Sequence, residues 1–252
     1  MGSSEPPGYA EDFVHVAMRR VDGVLELRFH SDGGPLVWGA SPHAELGRCF
    51  AVVGSDPDNR VIVLTGTGDS FLAALDDSWV GAMTPAKWNR IFTNGRRLLS
   101  ALLDIEVPVV AAVNGPATVH AELALLADIV IASDTTYFQD APHFRYGTVP
   151  GDGVQVIWPL LLGPNRGRFF LLSGQRIPAE EAQALGIVAE VVPHAEVVER
   201  AWHWARQLAR QPDSTLRYTR AALTQQLKRH ILDDVPFGLA LEGLAAHETW
   251  PT

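Results

Sequence analysis

The spacing of apolar and polar positions changes repeatedly along the 252-residue chain. Val14 to Arg20 and Val21 to His30 alternate, which predicts two half-buried strands, and Asp22-Gly23 between them is a hairpin signal. A loop with Gly33-Gly34-Pro35 leads to Leu36-Val37-Trp38. From Ser41-Pro42 the spacing is helical to about Val53, where Asp56-Pro57 breaks it. Arg60 to Gly66 is a continuous apolar run, as a strand covered on both faces requires. Trp88 to Asp104 reads as an amphipathic helix and Val107 to Val113 as a strand. After the Asn114-Gly115-Pro116 turn, Ala117 to Ala127 reads as a helix and Asp128 to Ala132 as another buried strand. Helical spacing then predominates at Gln155 to Leu162, Arg166 to Leu172, Ala179 to Gly186 and Val197 to Gln211. It returns at Thr215 to Leu232 and Phe237 to His247. Alternating strand-like and helix-like segments followed by a helical tail predict an α/β fold.

Composition narrows the class. Apolar residues make up 47% and charged residues 19%, as in a folded globular chain. A net charge of -9 with no basic block argues against nucleic acid or an anionic membrane as partner. The single cysteine, Cys49, sits in a helical pattern and reads as packing. With no apolar run of the roughly 20 residues needed to span a bilayer, and no leader-like N-terminal segment, a cytoplasmic location is expected. No Cys/His cluster has metal-ligand spacing, so neither metal nor other cofactor is expected. Gly66-Thr-Gly68 lacks the third glycine and following helix of a dinucleotide fingerprint. Residues 1–10, polar and rich in Pro and Gly, are expected to be a disordered tail. Residues 11–196 are expected to form the core and 197–252 a helical C-terminal region.

One stretch carries candidate chemistry: Tyr137 to Gly153, with His143 and Asp152 on either side of a turn marked by Gly147 and Pro150-Gly151-Asp152-Gly153. If the limbs close, Asp152 accepts from one imidazole nitrogen of His143 and leaves the other free to take a proton, for which water is the obvious donor. The plain structural alternative is that Asp152 caps a helix beginning near Val154 and His143 is a core histidine.

The order of several motifs resembles the crotonase (enoyl-CoA hydratase/isomerase) superfamily. These are Thr65-Gly-Thr-Gly68, Phe71-x-Ala-x-x-Asp76, Pro108 to Gly115, Glu122-Leu-Ala, Ala127 to Ser133, Gly147 to Gly151, Leu172-Ser-Gly174 and Ala179 to Val188. The resemblance runs from about residue 14 to the C-terminus. It implies a spiral of ββα repeats with a helical C-terminal region that packs homotrimers, often paired into dimers of trimers. It also implies an oxyanion hole between two backbone amides, the first at Leu75 and the second near Val119 or His120. Thr118-Val119-His120-Ala121 stands where hydratases commonly carry three glycines, and His143 where they carry a second glutamate. The only lysines are Lys87 and Lys228, and Asp69, Asp76, Asp77 and Ser78 occupy a neighbourhood where CoA users often carry a cation.

A narrower likeness is to 6-oxocamphor hydrolase and related β-diketone hydrolases. It rests on Leu36-Val-Trp38, Asn114-Gly-Pro-x-x-x-His120-x-Glu122, Phe138-Gln-Asp-x-Pro-His143, Val149-Pro-Gly-Asp152, Gly163-x-Asn-Arg-Gly-Arg168 and Leu239-Ala-x-Glu242. This likeness implies CoA-independent retro-Claisen hydrolysis of a small, largely apolar diketone, cyclic by preference. His143 and Asp152 would activate water. His120 would donate to a carbonyl or enolate, and Glu242 would be the carboxylate partner of His120. Trp38, Leu75, Trp79 and Val80 would bind the substrate; Glu122 stays outside these assignments. Val80 replaces a phenylalanine of 6-oxocamphor hydrolase, so the pocket wall is reshaped. Plain readings stand beside each: a self-capping histidine for His120, a solvated helix face for Glu242, core burial for Trp38. An acyl-CoA hydratase or isomerase, a natural-product tailoring enzyme and a non-catalytic scaffold are the competing functions.

Overall fold

The structure is a computed structural model that describes residues 5–76, 79 and 81–250. Its centre is a six-stranded sheet. β1 (Val16–Val21) and β2 (Val24–Phe29) form the expected hairpin, with Asp22 and Gly23 at φ 50° and 80° in the turn. Parallel strands β4 (Val61–Thr65), β6 (Val109–Val113), β7 (Ile129–Ser133) and β10 (Glu190–Val192) follow in the order β1-β2-β4-β6-β7-β10. β4 and β6 are buried at every position, which is why their sequences run apolar without alternation. One face packs on α7 (Val197–Leu208), through Val197, Ala201, Trp202 and Ala205 against Val24, Val61, Val63, Val110, Ala112 and Ile131. The other face supports the main core.

After each of three central strands the chain pairs again one layer out, and this repetition is the spiral. β3 (Val37–Trp38) pairs in parallel with β5 (Ala74–Leu75), which follows β4. Leu72 bridges Ala117, which follows β6, and Ala117 bridges Phe138 in β8 (Tyr137–Phe138), which follows β7. β8 then pairs with β9 (Ile177–Pro178). Asn114 ties two repeats together: its side chain accepts from Gly66 N and donates to the carbonyls of Gly68 and Ser70. The fold is therefore the α/β crotonase-like spiral with a helical C-terminal region.

Around this core lie α1 (Ala40–Ser55), α2 (Pro85–Asp104), α3 (Glu122–Leu125), α4 (Val154–Leu162), α5 (Pro164–Ser173) and α6 (Ala179–Ala184). Thr84 caps α2 by accepting from Lys87 N, so the helix begins three residues before the first residue of the apolar pattern. α8 (Asp213–Thr249) closes the chain. No helix among the described residues is long and apolar enough to cross a membrane.

Three expectations need correction. The helix expected over Ala117 to Ala127 is only α3: Ala117 N donates to Tyr137 O, Thr118 N and Val119 N both donate to Leu72 O, and His120 takes φ 48°. Pairing to neighbouring segments outcompetes the local helical preference there. The two expected tail helices are one, because α8 continues through Pro236 with Val235 and Leu239 buried on either side. Of the expected disordered tail, residues 1–4 lie outside the described residues and residues 5–10 are held in place. Glu5 bridges Arg20, and the Tyr9 hydroxyl donates to Asp56 at 2.7 Å and accepts from Asn59.

Candidate active site

The sequence-predicted residues come from five separate elements and meet at one cavity of about 530 Å³. Trp38 reaches it from β3, Leu75 from β5, His120 from the loop before α3, His143 and Asp152 from the turn before α4, and Glu242 from α8. Trp79 also lines it; Val80 lies outside the described residues. The rest of the wall is mostly apolar, including Ile91, Val119, Pro142, Leu239 and Trp250. No lysine or arginine lines it among the described residues.

The turn after β8 positions His143 and Asp152. A short 3-10 helix at Phe144–Tyr146 ends on Gly147 in the left-handed region, and Gly153 at φ 128° opens α4. His143 and Asp152 do meet, but in a different arrangement from the expected one. His143 Nδ1 is held by Asp140 Oδ1 at 2.6 Å, while its Nε2 faces Asp152 Oδ2 at 3.4 Å and Glu242 Oε1 at 3.9 Å. Asp140, which sequence reading left without a role, is thus the carboxylate that orients the ring, and neither ring nitrogen stands free. Glu242, expected beside His120, instead faces His143. The partner of His120 is Glu122, with Nδ1 to Oε1 at 2.5 Å, and Asp152 Oδ2 lies 3.5 Å from the same nitrogen. One carboxylate, Asp152, therefore stands between two imidazoles.

Burial and charge set the protonation states. Desolvation acts to lower the pKa of His143, but Asp152 and Asp140 outweigh it and hold it well above the usual imidazole range. His120 is likewise pulled down by burial, and Glu122 and Asp152 prevail to raise it. Burial alone would raise Asp152; the facing imidazoles of His143 and His120 reverse this and keep it well below the usual carboxylate range. Burial pushes Glu242 up to about 8, against the attraction of His143, and raises Glu122 against that of His120. At neutral pH the cluster thus holds an imidazolium at His143, an ionised Asp152 and a protonated Glu242, while Glu122 and Asp152 favour the charged form of His120. Asp152 Oδ1 is buried without a hydrogen-bond partner, as are Glu122 Oε2 and Glu242 Oε2.

Trp38 walls the other side, its ring 4.2 Å from that of His120 and tilted 43° to it. His43, on the buried face of α1, was read in sequence only as part of a helical pattern. It lines the cavity with its ring 5.1 Å from Trp79 and 5.7 Å from Trp38, and burial, with the His120 charge, pushes it down to about 3. It is a neutral imidazole with an unpartnered Nδ1. A histidine on the apolar side of a helix, five residues after Trp38, was the available signal.

The amides expected to form an oxyanion hole are partly engaged. Asp76 N donates to Trp38 O at 2.7 Å, which turns the preceding amide, that of Leu75, to the other edge of β5. Val119 N is occupied by Leu72 O, which leaves His120 as the second candidate. His120 Nδ1, Glu122 and Asp152 each present one ligand atom within 4.8 Å of the others, a spacing that a metal ion could bridge.

A model of the enoyl-CoA hydratase/isomerase family matches residues 40–237. The chain belongs to this family. Within it, a β-diketone hydrolase from the cyanobacterium Anabaena, bound to (S)-3-oxocyclohexyl acetic acid, superposes with a TM-score of 0.94 at 45% identity. That match covers 96% of this chain and 98% of the other. An enoyl-CoA hydratase/isomerase from Mycobacterium paratuberculosis superposes with a TM-score of 0.87 at 26% identity, covering 93% and 94%. Carnitinyl-CoA dehydratase of Shigella flexneri is 35% identical over 165 residues, 65% of this chain and 63% of that enzyme. The chain thus matches less than two thirds of the dehydratase's length. The close structural likeness to a β-diketone hydrolase supports a hydrolase among the enzymes of this family.

Proposed function

We propose that this protein is a CoA-independent hydrolase that cleaves the carbon-carbon bond between the carbonyls of a cyclic β-diketone by a retro-Claisen reaction. The observation that carries this reading is Asp152 bridging His143 and His120 at 3.4 and 3.5 Å in a cavity walled by tryptophan. A diketone needs an activated water at one carbonyl and a cationic donor at the other, and this arrangement supplies both. A CoA thioester needs cations for its phosphates, and none lines the cavity among the described residues.

His143 and Asp152 act as a pair whose proton is shared. With His143 protonated at rest, the basic member is Asp152, whose buried Oδ1 has no hydrogen-bond partner of its own and would take the proton of a water that enters the cluster with the substrate. Water loses a proton to Asp152 and its oxygen bonds to the carbonyl carbon, while the imidazolium of His143 stabilises the oxyanion. Collapse breaks the bond to the central carbon and yields a carboxylic acid and an enolate. His120, fixed through Nδ1 by Glu122, directs Nε2–H to the enolate oxygen together with the indole N–H of Trp38, and then donates its proton to the enolate carbon. His120 Nδ1 keeps its own proton toward Glu122, so a water relays the proton from Asp152 back to Nε2, and the net change is the addition of one water.

The ligand of the Anabaena enzyme suggests the test substrate. Joining its carboxyl carbon to the ring carbon opposite the acetic arm gives a bridged bicyclic 1,3-diketone of the bicyclo[2.2.2]octane type. Ring opening of that diketone to a keto acid, with no hydration of crotonyl-CoA, is the expected result. Hydration of the thioester without ring opening would overturn the proposal in favour of an acyl-CoA hydratase.

A further inference from the structure

Glu242 and Asp152 face the same ring nitrogen of His143 although they come from elements far apart in sequence. What fixes their separation is a backbone crossing. A Cβ added to Gly151 would lie 2.3 Å from Gly238 O and 3.1 Å from the Glu242 Cβ. One added to Gly238 would lie 2.3 Å from Gly151 O and 2.2 Å from Gln155 Nε2. Only two glycines allow the Asp152 turn and α8 to approach this closely. Gln155 closes the joint. Its Oε1 accepts from Gly153 N at 2.8 Å, and its Nε2 donates to Gly151 O at 3.0 Å and, more weakly, to Asp234 O at 3.4 Å. One amide side chain therefore holds the residues on both sides of Asp152 and also touches α8. On the opposite flank, the Trp88 indole donates to Leu239 O and its ring fills the space beside Gly243. Glu242 stands one helical turn beyond Gly238, between these two attachments.

We infer that the Gly151–Gly238 crossing, clamped by Gln155, is a positioning device that sets the distance between Asp152 and Glu242 across His143. Gln155 and the two glycines touch no reacting atom; they act through the carboxylates. A wedge at the crossing, or loss of the clamp, lets Glu242 move away and admits water to the cluster. The catalytic part of this inference rests on the diketone-hydrolase reading, whereas the placement of the carboxylates does not.

The experiment compares Gly238→Ala and Gln155→Met with Gly167→Ala, a wedge of similar severity at the contact between α5 and Pro159, where an added Cβ would meet backbone at 2.5 Å. Gln155→Met removes the hydrogen bonds with little change of volume, so it is free of the steric penalty of a wedge. The readouts are the titration of the His143 ring by NMR, assigned with His143→Ala, and diketone kinetics as a function of pH. Gly238→Ala and Gln155→Met are expected to shift the His143 midpoint by roughly half a pH unit or more. They are expected to lower kcat about tenfold at pH 7 with KM less affected, and Gly167→Ala should do neither. Unchanged titration in folded Gln155→Met, or an equal shift in Gly167→Ala, overturns the inference. If the wild type opens no diketone, the functional reading fails by itself and the NMR titration alone decides the positioning device.

Discussion

At the scale of single residues, the question is which carboxylate serves which imidazole. The turn between them suggested that His143 and Asp152 meet, and the family resemblance added His120 and Glu242, but neither gave the pairing among the four. Asp140 lies three residues before His143 with Pro142 between, and only the fold of that short turn aims its carboxylate at Nδ1. Asp140→Asn would keep the shape but replace the carboxylate by a neutral amide that stabilises the imidazolium less and can present NH2 to Nδ1, so kcat should fall by about 10²-fold or more. A steady-state rate within twofold of wild type would remove Asp140 from the machinery. Glu242 gives a second test, through stability. A glutamate whose native pKa is raised to about 8 binds a proton more tightly folded than unfolded. Its contribution to stability is therefore full below the unfolded pKa and is lost as pH rises through about 8. Glu242→Gln cannot ionise, so its melting temperature relative to wild type should rise between pH 6 and pH 9, while activity falls. Parallel pH dependences of the two proteins would show that Glu242 is not held protonated by the fold.

At the scale of elements, the buried strands and the hairpin were legible because their patterns are local: continuous apolar runs for β4 and β6, and Asp22-Gly23 between alternating segments. The loop that carries His120 was not. Its residues have helical spacing, yet their hydrogen bonds go to Leu72 and Tyr137, partners distant in sequence that no period reveals. The left-handed backbone of His120 follows from that pairing and places a strained conformation at a candidate catalytic residue. Asn114 is the residue that holds this part of the spiral in register. Its three hydrogen bonds fix the loop after β4, from which the chain proceeds to β5 and Leu75. Asn114→Ala should destabilise the fold by about 2–4 kcal/mol, since the freed amide and carbonyls are largely buried. Chemical denaturation reads this directly, and a loss below about 0.5 kcal/mol would assign the register to other contacts.

At the scale of the whole molecule, one feature of α8 links assembly to the site. Its inner face sends Leu239 and Glu242 into the cavity, while its outer face exposes Leu223, Phe237 and Leu244 at 72%, 68% and 73%. On α5, Phe169 and Leu172 are also more than half exposed. Exposed apolar side chains along the outer face of a long helix mark a surface that a partner covers. We propose that the partners are further copies of this chain, in a homotrimer or a dimer of trimers. Wild-type protein should then scatter light with at least about three times the 27.4 kDa mass of the chain. Its melting temperature should rise with concentration, because assembly stabilises the folded state. Leu244→Glu places a charge in the proposed interface without touching the cavity and should yield smaller species. Since α8 is shared between interface and site, diketone turnover should fall along with assembly and recover as concentration drives the subunits together. A wild-type protein that is monomeric at all concentrations, or a Leu244→Glu monomer with full activity, would separate the two faces of this helix.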